Sequence, residues 1–401
     1  MNQELPHPGS HSPSAWLSTL ERRAELRRAA GLRRTLVTRD ADDQLCDLAG
    51  NDYLGLSRHP EVLAAAAAAL RDYGLGANGS RLVRGSTAEH AALESELAEA
   101  LHTPAALVYS SGYLANLAAM AALTSARTLL ILDAHAHTSL IDAARLTRAE
   151  TLLAPHSDPT ALAELLEGHP GRRAVVVIES LYSVDGDCAP VAELHSICRR
   201  HGALLLVDEA HAVGVLGPGG GGVLAAAGLA GEPDIVVTAT LSKALGGAGG
   251  VVAGSAQLIA HLVDTSRPFI FDTALAPPVV AGVRAALRLA RGSEQLRAEV
   301  ALRAELAVAR LHAGGLGVAA AAGGVLSVLA PSAAAATEWA TPCREHGVAV
   351  GCFRPPSTPD KQSRLRLTIN AGVPREHFVR AIDVVVQTAP DAARQWGKAP
   401  A

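Results

Sequence analysis

Short apolar runs alternate with longer amphipathic stretches through the middle of the chain. Each run holds four or five residues, too few for a helix, and the stretches between the runs have the spacing of helices. Buried runs of this length that alternate with helices are typical of a mostly parallel sheet covered on both faces. The pattern therefore predicts an α/β fold with strands at Ala105–Tyr109, Leu129–Leu132, Ala174–Ile178, Ala203–Val207, Ile235–Ala239 and Val251–Gly254.

The pattern changes towards both ends of the chain. Residues 1 to about 14 are rich in Pro, Ser and His and are predicted to be disordered. After Pro277-Pro278, long helical patterns and a few short strands predict a smaller α+β region. We expect an N-terminal segment (1–50), a large domain (51–285) and a small C-terminal domain (286–401). Outside the central sheet, helices are predicted at Trp16–Gly31, Glu61–Tyr73, Ala88–Leu101, Val279–Leu289 (continuing after Gly292), Ala333–His346 and Arg375–Thr388, and strands at Val325–Leu329 and Arg364–Ile369.

Composition narrows the class of protein. The 401 residues are 49% hydrophobic with a formal net charge of −4, so no global basic signature points to nucleic acid or an anionic membrane. No apolar run approaches the length of a membrane span, and the first residues lack the pattern of a signal peptide. Five cysteines without a CxxC pair fit reduced thiols, so we expect a cytoplasmic protein.

Polar residues follow five of the predicted strands directly. Ligands of open parallel sheets bind at the carboxyl ends of the strands, so these residues predict one shared site. They are Ser110 to Tyr113, His135 with His137, Glu179 with Ser183, Asp208 with His211, and Thr240 with Ser242 and Lys243.

Lysine is rare in this chain, and Lys243 has an unusual position. The other two lysines, Lys361 in a polar loop and Lys398 near the C-terminus, are expected to be solvated. Lys243 instead follows the apolar run at Ile235 and precedes a glycine-rich stretch. A desolvated lysine loses its proton easily and can form a Schiff base with a carbonyl. The alternative is a lysine that extends to the surface.

The segment Val207-Asp208-Glu209-Ala210-His211 has three interpretations. A nucleic-acid-dependent ATPase would need a GxxxxGK[ST] motif upstream, and no lysine precedes Lys243. A structural carboxylate with a capping histidine stays possible. The third interpretation joins Asp208 to Lys243, because pyridoxal phosphate needs a lysine and a carboxylate at its pyridine nitrogen.

Further residues suit the same cofactor. Gly112 and Tyr113 open a helix after a strand, a favourable place for a phosphate. His137 could lie flat on the ring, and His211 could hydrogen-bond the phenolic oxygen. His135-x-His137 lacks a third ligand, so no metal site is predicted.

Three arginines are candidates for binding a substrate carboxylate. Arg364 and Arg366 alternate along a predicted strand and therefore share one face. Arg354 lies in a stiff turn before Pro355-Pro356 that could aim it into a cleft. A bidentate arginine is the usual partner of a carboxylate, and solvated edge residues are the alternative.

At this point the chain resembles the α-oxoamine synthase family of fold-type I pyridoxal phosphate enzymes. The matching motifs span nearly the whole sequence. They are Asn51-Asp52-Tyr53-Leu54-Gly55-Leu56-Ser57, Ser111-Gly112-Tyr113-x-Ala115-Asn116, His137-Thr138-Ser139-Leu140, Ser183-Val184-Asp185-Gly186-Asp187, Val207 to His211, Thr240-Leu241-Ser242-Lys243-Ala244, Arg354-Pro355-Pro356 and Arg364-Leu365-Arg366-Leu367-Thr368.

The resemblance implies a role for each matching residue. Lys243 would bind the cofactor covalently, Asp208 would pair with the pyridine nitrogen, and His137 would stack on the ring. Ser183 and His211 would neighbour the phenolic oxygen. The phosphate would lie near Gly112, Tyr113, Thr240 and Ser242, and the substrate near Asn51, Arg354 and Arg366, while Thr273 would reach in from the partner of a homodimer. Asp272 departs from the Ser or Thr that many members carry, so a direct phosphate contact is not expected there.

The resemblance also implies the reaction. Members condense an amino acid with an acyl thioester and release carbon dioxide. The best match within the family is to the biotin-pathway member, which uses L-alanine and a pimeloyl thioester of coenzyme A or a carrier protein. A member that uses glycine or serine, such as a 2-amino-3-ketobutyrate ligase or a 5-aminolevulinate synthase, is the first alternative. A non-catalytic regulator that binds pyridoxal phosphate is the second.

Overall fold

A computed structural model of the chain describes residues 13–319 and 321–396. Two sheets organise these residues. The larger has seven strands and the smaller has four. The strands are β1 (Cys46–Leu48), β2 (Ala105–Tyr109), β3 (Leu129–Asp133), β4 (Glu150–Ala154), β5 (Ala174–Glu179), β6 (Leu204–Asp208), β7 (Ile235–Thr240), β8 (Gly250–Gly254), β9 (Val325–Ala330), β10 (Val348–Phe353) and β11 (Ser363–Thr368).

Helices surround both sheets. Proline at the first turn begins several of them, as at Pro60 and Pro277, because its fixed φ fits a position that needs no N–H. The helices are α1 (Pro13–Ala29), α2 (Pro60–Tyr73), α3 (Ala88–Ala100), α4 (Gly112–Leu123), α5 (Thr138–Leu146), α6 (Pro159–Glu167), α7 (Val191–Arg200), α8 (Val223–Ala226), α9 (Ala256–Thr265), α10 (Arg267–Ile270), α11 (Pro277–Gly292), α12 (Glu294–Ala313), α13 (Ala333–Glu345), α14 (Arg375–Gln387) and α15 (Asp391–Trp396).

The larger sheet has the order β2-β8-β7-β6-β5-β3-β4, and β8 alone runs antiparallel to its two neighbours. Its central strands are covered on both sides. In β5, Val176 and Ile178 pack into one apolar layer, while Val175 and Val177 pack into the other. The predicted α/β fold with a mostly parallel sheet is therefore confirmed.

The smaller sheet has the order β1-β10-β11-β9. Strand β1 pairs in parallel with β10, so the N-terminal segment contributes a strand to this sheet. Strand β11 lies between β10 and β9 and carries Arg364 and Arg366.

The disorder predicted for residues 1 to about 14 concerns mainly residues outside the described part, which begins with α1 at Pro13. Searched over its described residues, the chain contains no helix that combines the length and the apolarity needed to cross a bilayer.

Candidate active site

The carboxyl ends of β3, β5, β6 and β7 meet at one edge of the larger sheet, and β11 of the smaller sheet faces them. A cavity of about 530 Å³ lies between the two sheets. Six residues that the sequence selects from distant motifs line this cavity together: Asn51, His137, Ser183, His211, Lys243 and Arg366.

Lys243 follows β7, and its surroundings make its ammonium group easier to deprotonate. Burial lowers the pKa of Lys243 to about 8, and the positive charge of Arg366 acts in the same direction. The buried carboxylate of Asp208 opposes this shift. The Nζ atom lies 2.7 Å from Nε2 of His211.

His211 has a defined tautomer because of its neighbours. The buried Tyr53 hydroxyl lies 2.5 Å from Nδ1, and a guanidinium nitrogen of Arg366 lies 3.4 Å from the same atom. A guanidinium can only donate, so Nδ1 is the acceptor and the ring proton belongs on Nε2. Burial, followed by the charges of Lys243 and Arg366, holds the pKa of His211 well below its usual value, so the ring stays neutral. Nε2–H then points at Nζ of Lys243, which can accept this hydrogen bond only in its neutral form.

A polar chain connects Asp208 to His137. The side-chain amide of Asn116, on α4, donates to Oδ2 of Asp208 at 2.8 Å and to the Ser139 hydroxyl at 2.9 Å. The Ser139 hydroxyl lies 2.7 Å from Nδ1 of His137, and the Ser139 backbone N–H donates to that nitrogen. Nδ1 is therefore an acceptor, which leaves the proton of the neutral ring on Nε2. Burial lowers the pKa of His137 as well.

The N-terminus of α4 provides a site for a phosphate. Ser111 caps the helix by accepting from the N–H of Leu114 at 3.2 Å, and Gly112 lies directly against Thr240. A Cβ at position 112 would be 2.9 Å from Cβ of Thr240, so only glycine leaves this approach open. The hydroxyls of Thr240 and Ser242 are 2.7 Å apart beside it. Backbone N–H groups and hydroxyls at a helix N-terminus suit an anion.

Tyr113, Asp272 and Thr273 lie around this helix end. Tyr113 is 43% exposed, and its hydroxyl donates to Asp142 at 2.8 Å. Asp272 accepts a hydrogen bond from Ser110. Thr273 is exposed and forms an isolated β-bridge with Ser80.

The three candidate arginines have different surroundings. Arg366 is 3% exposed and donates to the Ser183 carbonyl at 2.7 Å and to Oδ1 of Asn51 at 3.0 Å. No carboxylate pairs with Arg366 anywhere in residues 13–319 and 321–396. Arg364 is equally buried but forms ion pairs with Asp185 and Asp360. These contacts agree with the predicted shared face, since both arginines reach the segment that follows β5.

Arg354 lies outside the cavity of Lys243. Its guanidinium donates to the carbonyl of Gly31 at 2.6 Å and to the hydroxyl of Thr337 at 3.1 Å. These contacts fasten the segment after α1 to the smaller sheet, and they do not aim the side chain into the cleft.

Sequence reasoning gave no role to three residues that the structure brings into the site. Tyr53, Asn116 and Ser139 all belong to motifs that the sequence shares with the family. The sequence does contain a signal for Asn116, because its side chain is the one amide in the otherwise apolar sequence of helix α4. A buried amide in such a helix needs a polar partner.

Glu179 is a further buried acid at the site. Its Cα lies opposite that of Asp208 in the parallel register, and its Oε2 accepts from the N–H of Ser183 at 3.0 Å. Burial, followed by the charge of Asp208, raises the pKa of Glu179 to about 8. The carboxyl is therefore largely protonated at neutral pH, which limits the negative charge beneath the cavity.

Together, the mostly parallel sheet and the groups at its carboxyl edge define the class of protein as a fold-type I pyridoxal phosphate enzyme. A lysine with a lowered pKa, a buried carboxylate and an anion site at a helix N-terminus are the groups that this cofactor requires. Comparison with known proteins agrees. The chain belongs to the family described as aminotransferase class I and II, which matches residues 43–385.

Individual relatives show which members of the family the chain resembles. The chain is 49% identical to the 8-amino-7-oxononanoate synthase of Mycolicibacterium gilvum (strain PYR-GCK), over 93% of this chain and 97% of that protein. It is 50% identical to the synthase of the same name from Mycobacterium leprae (strain TN), over 91% and 93%. These relatives confirm the resemblance to the α-oxoamine synthases.

Solved structures show the same fold. The serine palmitoyltransferase of S. paucimobilis with a bound PLP–myriocin aldimine superposes with a TM-score of 0.88 at 28% identity, covering 94% of this chain and 98% of that one. The 8-amino-7-oxononanoate synthase of Francisella tularensis superposes with a TM-score of 0.74 at 26% identity, covering 86% and 98%.

Proposed function

We propose that this protein is a cytoplasmic enzyme that condenses L-alanine with a pimeloyl thioester to form 8-amino-7-oxononanoate. The relatives with this name match more than nine-tenths of the chain at about half identity. The observation that carries the proposal is the buried guanidinium of Arg366. It lies in the cavity of Lys243 and forms its hydrogen bonds with uncharged groups. A buried cation without a charged partner is costly, and a substrate carboxylate would supply that partner.

The residues present fit pyridoxal phosphate. Lys243 would hold the cofactor through its amine, Asp208 would face the pyridine nitrogen, and the end of α4 with Thr240 and Ser242 would hold the phosphate. The bound cofactor supplies an electron sink for negative charge that develops on the amino acid Cα.

The protein's own groups then perform the remaining tasks. Arg366 and Asn51 orient the carboxylate of alanine beside Lys243. The neutral amine of Lys243 accepts the proton from Cα, for which a pKa near neutrality is favourable. His137 lines the cavity, and its Nε2–H can donate to the carbonyl oxygen of the incoming thioester.

The overall reaction balances as follows. The acyl carbon forms a bond to Cα of alanine, and its C–S bond breaks to release the protonated thiol. The bond from Cα to the carboxyl carbon then breaks, so that carbon dioxide leaves and Cα receives a proton. The amino ketone leaves with its terminal carboxylate unchanged.

The protein is also proposed to act as a homodimer. The segment after α2 and the segment after α10 lie side by side, since Ser80 bridges Thr273 and Gly79 accepts from the N–H of Ala274. Large apolar side chains on these segments are exposed, which is typical of a protein interface. They are Leu75 (83%), Leu82 (53%), Val83 (84%) and Phe271 (70%). Exposed Thr273 on this surface could complete the site of a second copy.

Serine palmitoyltransferase chemistry is the second candidate, because a structure of that name superposes with the TM-score of 0.88. One experiment separates the candidates. The purified protein with pyridoxal phosphate is incubated with alanine, glycine or serine against pimeloyl-CoA, a pimeloyl carrier protein and palmitoyl-CoA, and products are identified by mass. The proposal expects 8-amino-7-oxononanoate from alanine as the main product. A faster reaction of serine with palmitoyl-CoA, or of glycine with any thioester, would overturn it.

A further inference from the structure

We propose that Lys361 binds an anionic group of the acyl thioester at the rim of the active-site cavity. This inference rests on the proposed function and concerns its second substrate. Lys361 lines the same cavity as Lys243 and Arg366. Arg366 is buried, whereas Lys361 is exposed, so the two cations mark the inner and the outer end of one cavity.

The charge of the cavity lining favours anions. Arg366 and Lys361 are the cations of the lining besides Lys243, which would hold the cofactor, and no aspartate or glutamate is among the lining residues that the structure describes. A cleft lined by one sign of charge raises the local concentration of ligands of the opposite sign. The carboxylate of an amino acid would occupy Arg366 alone, which leaves the cation at the rim available for a second anionic group.

Asp360, the acidic neighbour of Lys361 in sequence, forms an ion pair with another residue. Asp360 pairs with the buried guanidinium of Arg364, and its Oδ1 also accepts from the N–H of Gln362 at 3.0 Å. Within the described chain, no carboxylate lies within ion-pair distance of Lys361. Its ammonium group is therefore open to a ligand.

The loop that carries Lys361 is held in place from both sheets. Arg364 joins Asp360 of this loop to Asp185, which follows β5 of the larger sheet. Lys361 itself has a φ of 61° and donates its N–H to the carbonyl of Thr358 at 3.2 Å. A cation on an anchored loop loses less conformational entropy on binding than one on a free loop.

The walls between the two ends suit a chain of methylene groups. Apolar side chains line this part of the cavity: Ile141, Val184, Phe353, Pro356 and Pro359. The methylene groups of an acyl chain would contact these apolar walls. Lys361 would add affinity only if the acyl chain or its carrier also has a negatively charged group. The shared chemistry that Lys361 recognises is an oxyanion, either the terminal carboxylate of a dicarboxylic acyl chain or a phosphate of the carrier.

Steady-state kinetics with three thioesters tests the inference. Pimeloyl-CoA carries both kinds of anion, heptanoyl-CoA lacks the terminal carboxylate, and the N-acetylcysteamine thioester of pimelate lacks the phosphates. For Lys361→Gln we expect the KM of pimeloyl-CoA to rise about fivefold, with kcat and the KM of alanine nearly unchanged. Lys361→Arg should restore most of the affinity, and high salt should reduce the difference between Lys361→Gln and wild type.

The other two thioesters identify the anion. If the effect of Lys361→Gln disappears with heptanoyl-CoA, Lys361 binds the carboxylate. If it disappears with the N-acetylcysteamine thioester, Lys361 binds a phosphate. The control is Arg199→Gln, which removes an exposed cation that pairs with Glu232 away from the cavity, and it should change no KM.

Two outcomes would overturn the inference. One is an unchanged KM of pimeloyl-CoA in Lys361→Gln, and the other is an equal rise with all three thioesters. Product formation by the wild type tests the proposed function separately. If the wild type forms product and Lys361→Gln has the same kinetics as the wild type, only the role of Lys361 is refuted. A wild type without product refutes the proposed function itself.

Discussion

Tyr53 forms a short buried hydrogen bond with Nδ1 of His211. Tyr53→Phe removes the hydroxyl 2.5 Å from Nδ1 and keeps the ring that fills the core. Loss of a neutral hydrogen bond costs about 1 kcal/mol, so we expect roughly a fivefold weaker binding of pyridoxal phosphate, measured by fluorescence titration. The pH profile of kcat should shift as well, because the tautomer of His211 then depends on the longer contact with Arg366 alone.

Tyr109→Phe is the matched control for this change. Its hydroxyl is also buried and donates to Ser266, outside the cavity. This variant should lose a similar amount of stability and keep wild-type affinity for the cofactor. Equal loss of cofactor affinity in both variants would show that Tyr53 acts through general stability only.

The two buried arginines of β11 should differ in function. Arg366→Ala removes the proposed contact with the alanine carboxylate, and we expect the KM of alanine to rise about a hundredfold. Arg366→Lys keeps the charge without the planar fork and should recover only part of the loss. Arg364→Ala breaks the ion pairs with Asp185 and Asp360, so it should lower the free energy of unfolding. It should raise the KM of alanine far less than Arg366→Ala does. A larger rise of the alanine KM in Arg364→Ala than in Arg366→Ala would contradict the assignment.

At the scale of the elements, apolar runs located the strands that are buried on both faces. All six predicted strands of the larger sheet are present, with ends that differ by at most one residue. Strand β4 was missed because it lies at the sheet edge, where its apolar run from Leu152 to Ala154 is shorter than the runs of the central strands. Strands β1 and β10 were missed too, because the pairing of β1 with β10 joins residues about 300 positions apart, and local periodicity carries no information on such pairs.

The same limit applies to the site. Strand ends and motifs were sufficient to bring Lys243, His211 and Arg366 into one cavity. The direction of Arg354 and the partners of Arg364 depend on where the segment after α1 and the loop at Asp360 pack. Those are contacts across the fold, and the pattern of a single strand cannot specify them.

His156, which follows β4, contacts Asp133 at the end of β3 and Asp187 after β5. These contacts make the stability of the fold depend on pH. The ring of His156 lies between the carboxylates of Asp133 and Asp187, at 2.9 and 3.0 Å, and stacks on His135. Burial alone lowers the pKa of His156, but the two hydrogen-bonded carboxylates outweigh it and raise the pKa to about 10. The charged ring therefore stabilises the fold fully below about pH 6.5, and this stabilisation is lost as pH rises towards 10.

Between pH 6.5 and 10, we expect the free energy of unfolding to fall in both proteins, and by about 3 kcal/mol more in wild type than in His156→Asn. Urea denaturation at a series of pH values measures this difference. The control, His377→Asn, changes an exposed histidine and should keep the wild-type slope. Parallel pH curves for wild type and His156→Asn would show that the ring carries no stabilising charge.

At the scale of the whole molecule, the exposed apolar surface of Leu75, Leu82, Val83 and Phe271 should hold two copies together. Val83→Glu places a charge on this surface, so we expect it to shift the protein from dimer to monomer in sedimentation experiments and to lower activity with it. Leu153→Glu, at the exposed edge of β4, is the matched control and should remain a dimer. A dimeric Val83→Glu variant with full activity would place the interface elsewhere.

The most direct test of the account follows the carboxyl carbon of alanine. With carboxyl-labelled L-alanine, pyridoxal phosphate and pimeloyl-CoA or its carrier-protein equivalent, the protein should release one labelled carbon dioxide for each free thiol. It should release none without the thioester, and Lys243→Ala should release none at all. Label that stays in the product, or thiol released without carbon dioxide, would contradict the decarboxylative condensation.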